Sequence, residues 1–229
     1  MILADLVVHS RVNQHCLYSG MDSLECCDNK QHFQNYPYTV DYVYNSRGFR
    51  DQEWPDSERE LRDAIWCIGD SFTVGLGQPL AHIWPQVLTT ATGRRCINIS
   101  MDGASNDWIG RRAQDILNTI RPQHMVIMWS YTHRREIQDP SLNDEQRRLH
   151  ASDTTEAQDL ANWTDLANKI HTLNSDIVQC TIPDFHVDML IMHDVIHVAQ
   201  RLDWARDHHH FDILTSQWVV DQIVPRLPV

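Results

Sequence analysis

The stretch AIWCIGDSFTVG, residues 64–75, decides the fold of this chain. It begins with a short apolar run that Gly69 ends, which is typical of a buried strand followed by a turn. Ser71 comes directly after that strand, so we expect its hydroxyl at the carboxyl edge of a sheet, where open α/β sheets bind ligands. A serine that caps the next helix would give the same local pattern. The residues alone leave both interpretations open.

Short apolar runs alternate with helical segments along the rest of the chain. Further strands are predicted at 96–99, 125–129 and 177–182, and helices at 83–92, from residue 106 onward, at 160–173 and at 213–223. Asp212 is the predicted N-cap of the last helix. The polar residues 139–154 are typical of a surface loop or a short helix. Strands that alternate with helices predict a parallel sheet with helices on both faces.

The N-terminal part of the chain is more polar and irregular than the remainder. One strand is predicted at 38–44, because apolar residues recur there at every second position. Arg47 and Arg50 follow it, either as part of a surface turn with a local ion pair or as groups that reach the substrate. We therefore expect an N-terminal extension, residues 1–60, that packs on a domain formed by residues 61–229.

The composition excludes several classes of protein. Of 229 residues, 42% are hydrophobic and 22% are charged, which is ordinary for a folded globular protein. The 19 Lys and Arg residues against 31 Asp and Glu residues give a net charge of −12, which argues against nucleic-acid binding. No apolar stretch reaches about 18 residues, so no membrane span is predicted. The N-terminus lacks the pattern of a secretory signal.

Cysteine usage favours a reducing compartment, such as the cytoplasm. Three of the six cysteines lie within apolar runs, where a thiol packs as a small hydrophobic group. The other three, in the polar N-terminal part, do not have the spacing of a zinc ribbon. A disulfide framework is therefore not expected.

Two further segments carry residues suited to nucleophilic catalysis. The loop after the second predicted strand contains Gly103, whose N–H could approach a ligand without hindrance from a side chain. Near the C-terminus, Asp207 and His210 are three residues apart, so one tight turn could direct both toward a serine. A serine nucleophile needs a base, and the base needs a carboxylate to orient it. His208 and His209 are alternatives for the base, and a metal-binding histidine tract is another interpretation.

The motifs GDSFTVG, DGASN and DHHH, in this order, resemble the first, second and fifth blocks of the SGNH, or GDSL-type, hydrolases. This resemblance implies a flavodoxin-like three-layer α/β/α sandwich with a mostly parallel five-stranded sheet. It also implies ester hydrolysis through an acyl-enzyme, without a cofactor. Ser71 matches the nucleophile, and Asp207 with His210 matches the Asp-x-x-His pair. The N–H groups of Ser71 and Gly103 would be oxyanion donors.

The third block departs from the family pattern. The family usually has Gly-x-Asn-Asp, in which the Asn side chain donates to the oxyanion, whereas this chain reads WSYTHRRE at residues 129–136. Thr132 stands in register with that Asn, and Arg134, Arg135 or Asn106 could also donate. The loss of such a donor costs about 100- to 1,000-fold in turnover. The residues predicted to face the substrate are Asp70, Asn106, Trp129 and Arg134.

Two other motifs are matched only in part. The nucleophile elbow of the α/β-hydrolases needs Gly-x-Ser-x-Gly, whereas Thr73 occupies the last position here. HDVIH at residues 193–197 has the histidine spacing of a zinc metallopeptidase, but Asp stands where that motif requires Glu. No metal is therefore predicted.

The function that we predict is hydrolysis of a small acyl ester or an acylated carbohydrate, with a carbohydrate O-acetyl esterase as the preferred case by resemblance. The alternative is an inactive binding or structural module on the same fold. The oligomeric state and the role of residues 1–60 are left open by the sequence.

Overall fold

The computed structural model describes residues 6–137, 139, 141–150, 154–174, 176–183 and 195–227. Its strands are β1 His15–Cys16, β2 Tyr42–Val43, β3 Ile65–Gly69, β4 Cys96–Ser100, β5 His124–Trp129, β6 Arg134–Glu136, β7 Arg148–His150, β8 Val178–Thr181 and β9 Val195–Ile196. Its α-helices are α1 Lys30–Asn35, α2 Glu58–Asp63, α3 Ser71–Val74, α4 Trp84–Thr92, α5 Asn106–Thr119, α6 Asp144–Arg147, α7 Glu156–Leu173 and α8 Ile213–Ile223.

The main sheet has five strands in the order β4-β3-β5-β8-β9, and all four neighbouring pairs are parallel. Every residue of β3, β4 and β5 is buried. Strands that are buried along their whole length are expected where helices cover both faces of a sheet. Here α4 packs against α8, and α5 packs against α7. The predicted three-layer α/β/α class is confirmed.

The turn from β3 into α3 places Ser71 at the carboxyl edge of the sheet. A Cβ atom at Gly69 would lie 2.1 Å from the Thr73 hydroxyl oxygen and 3.0 Å from the Met128 carbonyl oxygen, so only glycine fits at the end of β3. Asp70, not Ser71, is the N-cap of α3, because its carboxylate accepts a hydrogen bond from the N–H of Phe72 at 3.0 Å. The interpretation of Ser71 as a helix cap is therefore wrong, and its hydroxyl is free for another partner.

The N-terminal residues pack closely on the main domain. Leu6, Val8 and Phe49 belong to the main hydrophobic core. A second cluster joins Val40, Tyr42 and Tyr44 to Val74 and Leu76, which come from α3 and the loop after it. The described residues before 60 thus contact the segment that carries Ser71, while a domain boundary at residue 60 stays a prediction.

Arg50 ties the N-terminal residues to the loop after α3. Its side chain is buried, and the residue is only 1% exposed. The guanidinium donates to the backbone carbonyls of Asp41, Val74, Gly75 and Gln78, at 2.5 to 3.2 Å. Neither predicted alternative, a surface turn with a local ion pair or contact with the substrate, therefore holds for the Arg50 side chain. Arg47, the other candidate, lies over the Trp54 ring at 4.7 Å.

Two local predictions are only partly correct. The strand predicted at 38–44 is reduced to β2, which pairs with β1 in an antiparallel ladder. Of its alternating apolar residues, Val40, Tyr42 and Tyr44 are buried, but Tyr38 is 47% exposed. Within the polar stretch from 139, α6 is the short helix that was one alternative. β6 and β7, which pair on either side of it, were not predicted.

Asp212 precedes α8, as predicted, but its side chain does not cap the helix. Its carboxylate instead binds the His82 imidazole at 2.8 Å and the Tyr36 hydroxyl. The carboxylate of Asp203 takes over the capping role, because it accepts hydrogen bonds from the N–H groups of Leu214 at 2.7 Å and Thr215 at 3.1 Å. Asp203 lies nine residues before Asp212, outside the positions where a sequence pattern would indicate a helix cap.

All six cysteines are free thiols. Among the described residues, no helix is both long enough and apolar enough to cross a membrane.

Candidate active site

Three side chains from distant parts of the chain form one line of hydrogen bonds. The Oγ atom of Ser71 lies 2.9 Å from Nε2 of His210, and Nδ1 of His210 lies 2.6 Å from Oδ2 of Asp207. All three residues are buried, with exposed fractions of 3% for Ser71, 1% for His210 and 0% for Asp207. The structure thus brings the sequence-predicted nucleophile, base and carboxylate together at one edge of the sheet.

A tight turn explains why Asp207 and His210 are three residues apart. The second carboxylate oxygen of Asp207 accepts hydrogen bonds from the N–H groups of His209 at 2.9 Å and His210 at 3.0 Å. His208, at the top of this turn, has a φ angle of +56°, a left-handed conformation that non-glycine residues adopt at some cost. The carboxylate therefore orders the turn and also binds the imidazole that the turn carries.

The geometry distinguishes His210 from the two neighbouring histidines. The His208 ring stacks on Trp204, with ring centroids 4.6 Å apart. The His209 ring packs edge-on against His210 at 4.9 Å, and burial, followed by the nearby His210, lowers the pKa of His209. Among the three, only His210 is hydrogen-bonded to Ser71.

The charge of Asp207 suits a group that orients a base. Burial raises the pKa of this carboxyl, but the His210 imidazole and the backbone N–H donors outweigh burial and hold the pKa below its ordinary value. Asp207 is therefore ionised at neutral pH. An ionised partner at Nδ1 fixes the tautomer in which Nε2 accepts a proton.

The two backbone N–H groups predicted as oxyanion donors, those of Ser71 and Gly103, have no acceptor in the described part of the chain. Ser71 is the first residue of α3, so its N–H has no acceptor within the helix. Gly103 has a φ angle of +71°, which favours glycine, and it is partly exposed. Both groups match the donors that the sequence resemblance implies.

The third block places Arg134 beside Asp70, the residue that precedes Ser71. Thr132 is half-buried in the loop between β5 and β6. The guanidinium of Arg134 lies over the Tyr131 ring at 5.3 Å, and its Nη1 atom lies 3.5 Å from the Asp70 carboxylate. Asp70 itself precedes Ser71, so Arg134 stands near the nucleophile.

Asp70, one of the predicted substrate-facing residues, is committed to the fold. It is fully buried. One of its oxygens accepts from the N–H of Phe72, and the other accepts from the Ser130 hydroxyl at 2.6 Å. The prediction that Asp70 contacts substrate is wrong, because its carboxylate instead joins the start of α3 to the end of β5.

Asn106 and Trp129 are also turned inward. The Asn106 amide donates to the Ser130 and Tyr131 carbonyls at 3.2 and 3.0 Å and accepts from the Ser130 N–H at 2.9 Å. Trp129 is fully buried and donates to the Gln179 side chain at 2.8 Å. Both side chains are thus engaged in hydrogen bonds within the fold, and both predictions of substrate contact are corrected.

Arg135 is another alternative that the structure places elsewhere. Its guanidinium lies 3.9 Å from the Asp159 carboxylate and 3.4 Å from the Asn162 amide oxygen, both on α7. It therefore points away from Ser71, and of the two adjacent arginines only Arg134 stands near the nucleophile.

Sequence inspection missed two residues that shape the site. The ring of Phe72 lies 4.6 Å from the His210 ring and 5.4 Å from the Phe211 ring, and it covers the imidazole on the side of α3. Gly77 has a φ angle of +73°, and a Cβ atom there would lie 2.9 Å from Ala205 Cβ and 3.1 Å from Asp207 Cγ. The position of Phe72 beside Ser71 was a usable signal, whereas the contact of Gly77 depends on tertiary structure.

The described residues contain no group of three or more His, Cys, Asp or Glu side chains that could hold a metal ion. The motif HDVIH falls partly outside the described residues, since His193 and Asp194 are not among them. His197 is described, and its Nδ1 atom lies 3.1 Å from the Thr181 hydroxyl.

No family model matches the sequence, and a search of curated proteins finds no match. Among solved structures, a protein assigned to the G-D-S-L lipolytic family from Desulfitobacterium hafniense DCB-2 is 12% identical, with a TM-score of 0.48 over 72% of this chain and 99% of that one. A family two carbohydrate esterase from Clostridium thermocellum is 14% identical, with a TM-score of 0.45 over 75% of this chain and 64% of that one. An acetyl xylan esterase from Butyrivibrio proteoclasticus is 10% identical, with a TM-score of 0.43 over 76% of this chain and 66% of that one.

At these identities the likeness concerns the backbone alone. Membership of the SGNH hydrolases stays a prediction from the sequence motifs, because TM-scores below 0.5 do not establish it. The chemistry of the site is taken from the side chains of this chain.

We expect Gly77→Ala to reduce both stability and any Ser71-dependent activity. Its new methyl group would push on Ala205 and Asp207 and displace the turn that carries His210. Gly93→Ala is a matched control, because Gly93 has a similar φ of +67° but no atom within 4 Å of an added Cβ. In both variants an alanine in a left-handed conformation lowers the free energy of unfolding by about 1–2 kcal/mol. Overpacking lowers it by a further ~1–3 kcal/mol in Gly77→Ala alone. Urea unfolding measures this difference, and equal losses in the two variants would contradict it.

Proposed function

We propose that this protein is a serine ester hydrolase of the SGNH type. The observation that carries the proposal is the unbroken hydrogen-bonded line from Ser71 through His210 to Asp207. A hydroxyl, an imidazole and a buried ionised carboxylate in this order form the arrangement that activates a serine nucleophile.

In the proposed mechanism, Nε2 of His210 accepts the proton of Ser71 as its Oγ atom attacks the ester carbonyl carbon. Asp207 stabilises the imidazolium that forms. The imidazolium then gives its proton to the leaving alcohol, and an acyl-enzyme remains. A water molecule, deprotonated by His210, attacks the acyl carbon and releases the acid together with the regenerated serine. No cofactor enters any step.

The oxyanion of the tetrahedral intermediate needs donors that are already in position. We assign this role to the N–H groups of Ser71 and Gly103 and to the Thr132 hydroxyl, which stands in register with the usual third-block Asn. Arg134 is assigned to substrate binding, because its guanidinium lies near the nucleophile and is partly anchored by Asp70 and Tyr131.

The proposed substrate is a small acyl ester or an acylated carbohydrate, and the acetyl ester of a carbohydrate is our preference by resemblance to the family. The alternative candidate is an inactive binding module. The observation that favours it is the replacement of the usual Asn by Thr132, since a weakened oxyanion site is expected where turnover has been lost.

We expect the wild-type protein to hydrolyse p-nitrophenyl acetate and to be labelled by a fluorophosphonate at Ser71. Ser71→Ala should abolish labelling and lower turnover by about 1,000-fold or more, because Ser71 is the one hydroxyl to which His210 is hydrogen-bonded among the described residues. Ser141→Ala, at an exposed serine, is the control and should change neither quantity. Wild-type turnover no higher than that of Ser71→Ala would favour the binding module.

We expect kcat/KM to fall on acidification between about pH 8 and 5, because an imidazole base that is already protonated can no longer accept the proton of Ser71. The pKa of Asp207 is lowered, so this carboxylate stays ionised over that range and does not cause the loss. The measurement is a pH–rate profile of p-nitrophenyl acetate hydrolysis. His209→Gln should keep the same profile, and a flat profile from pH 5 to 8 in the wild type would rule out an imidazole base.

Thr132→Val and Arg134→Gln should affect different kinetic constants. Valine has the shape of threonine without its donor, so Thr132→Val is expected to lower kcat by about 100-fold, the usual effect of a lost oxyanion donor. Arg134→Gln should instead raise KM with little change in kcat, because ground-state binding is weakened. Steady-state kinetics with one ester separates the two, and a large fall of kcat in Arg134→Gln alone would make arginine the oxyanion donor.

A further inference from the structure

The residue before the catalytic carboxylate is held by an acid from the N-terminal part of the chain. Arg206 directly precedes Asp207, and its Nε and Nη2 atoms donate to the two carboxylate oxygens of Asp22 at 2.9 and 2.6 Å. Asp22 is fully buried, and only 12% of the Arg206 side chain is exposed. A two-point contact of this kind fixes the orientation of a guanidinium as well as its position.

The same acid reaches the segment that follows the nucleophile. The Tyr42 hydroxyl donates to Asp22 at 2.6 Å and accepts from the N–H of Gly77 at 2.8 Å. The Gly77 carbonyl in turn accepts from the N–H of Arg206 at 2.9 Å. These bonds close a ring through Asp22, Tyr42, Gly77 and Arg206, which we call the Asp22 ring. It joins three distant parts of the chain beside Asp207.

Aromatic side chains of the N-terminal part enclose the guanidinium. The Arg206 carbon Cζ lies 5.4 Å from the centre of the Tyr18 ring and 4.9 Å from that of the Phe33 ring. Its Nη2 atom also donates to the Leu17 carbonyl at 2.7 Å. The N-terminal residues therefore set the position of Arg206 from three directions.

Catalysis by a serine, a base and a carboxylate is sensitive to small displacements, and an error of about 1 Å can cost 100-fold in rate. The turn that carries Asp207 and His210 makes its own short-range bonds, but those bonds do not fix its distance from Ser71. The Asp22 ring supplies a link to the segment after Ser71, because Gly77 lies only six residues beyond the nucleophile.

We propose that Asp22 is a positioning residue for the catalytic turn. It acts through Arg206, which it holds together with Tyr42, and it keeps His210 at hydrogen-bonding distance from Ser71. This inference rests on the proposed esterase function. It gives the N-terminal residues a role in catalysis, beyond the stability that any buried ion pair provides.

The test uses Asp22→Asn, Arg206→Gln and the double variant in the full-length protein. Each single variant should lower kcat for p-nitrophenyl acetate by about 10- to 100-fold and leave KM within about twofold, because proton transfer and not ester binding is disturbed. If Asp22 acts through Arg206, the double variant should be no slower than the slower single variant.

Glu136→Gln is a matched control for the loss of a buried carboxylate. Glu136 binds both terminal nitrogens of Arg111, at 2.6 and 2.7 Å, in a fork like that of Asp22 and Arg206. Among the described residues, Glu136 is hydrogen-bonded to Arg111 and Asp107 and not to the catalytic turn, so Glu136→Gln should lose stability while retaining kcat per folded molecule.

Two further measurements keep the test decisive if Asp22→Asn folds poorly. Tyr42→Phe removes one hydroxyl and both of its bonds in the Asp22 ring, and it should lower kcat in the same direction. Hydrogen exchange at the amides of His209 and His210, which donate to Asp207, should accelerate in Asp22→Asn and Tyr42→Phe but not in Glu136→Gln.

The possible outcomes separate this proposal from the proposed function. Unchanged kcat in folded Asp22→Asn, additive losses in the double variant, or an equal loss in Glu136→Gln would each overturn the role of Asp22. If the wild type has no Ser71-dependent activity, the esterase proposal fails instead. The exchange measurement then still reports whether Asp22 orders the turn, and unchanged exchange in Asp22→Asn would overturn that part as well.

Discussion

The buried guanidinium of Arg50 sets the path of the chain directly after the nucleophile. Its donors bind four backbone carbonyls, three of them in the segment from Val74 to Gln78. Burial lowers the pKa of this arginine, and the face of the Tyr42 ring at 4.3 Å, with the carbonyl dipoles, offsets the loss of hydration. Each carbonyl left without a donor would cost about 1–3 kcal/mol, so the segment has little freedom to move.

The rest of the site follows from that fixed segment. Gly77 lies within it, and a Cβ atom at Gly77 would clash with Ala205 and Asp207, so a larger residue has no room between this segment and the turn that carries His210. The amide of Gln78 donates to the carbonyl of Phe211 on the far side of His210. Ser71 and His210 are 139 positions apart in the sequence. The short segment after α3 follows Ser71 directly and is hydrogen-bonded to the residue after His210, so it links the two regions.

The sequence predicted the parts of the structure that depend on local chemistry. The apolar run before Gly69, the serine after it and the spacing of Asp207 and His210 each have a local cause, and the structure shows all of them as expected. Burial of polar residues was harder to foresee. An Asp or an Asn residue can line a substrate site or belong to a buried hydrogen-bond network. For Asp70 and Asn106, only the tertiary contacts with Ser130 distinguish these two interpretations. Nor could spacing reveal that Asp22 binds Arg206, since these residues are 184 positions apart.

The cap of α8 couples the C-terminal helix to the catalytic loop. Asp203 holds the first turn of the helix through the N–H groups of Leu214 and Thr215, and it lies only four residues before Asp207. Fraying at the start of α8 would release this carboxylate, and with it one anchor of the loop that leads to His210. The order of the last helix and the position of the His210 imidazole are thus linked through one side chain.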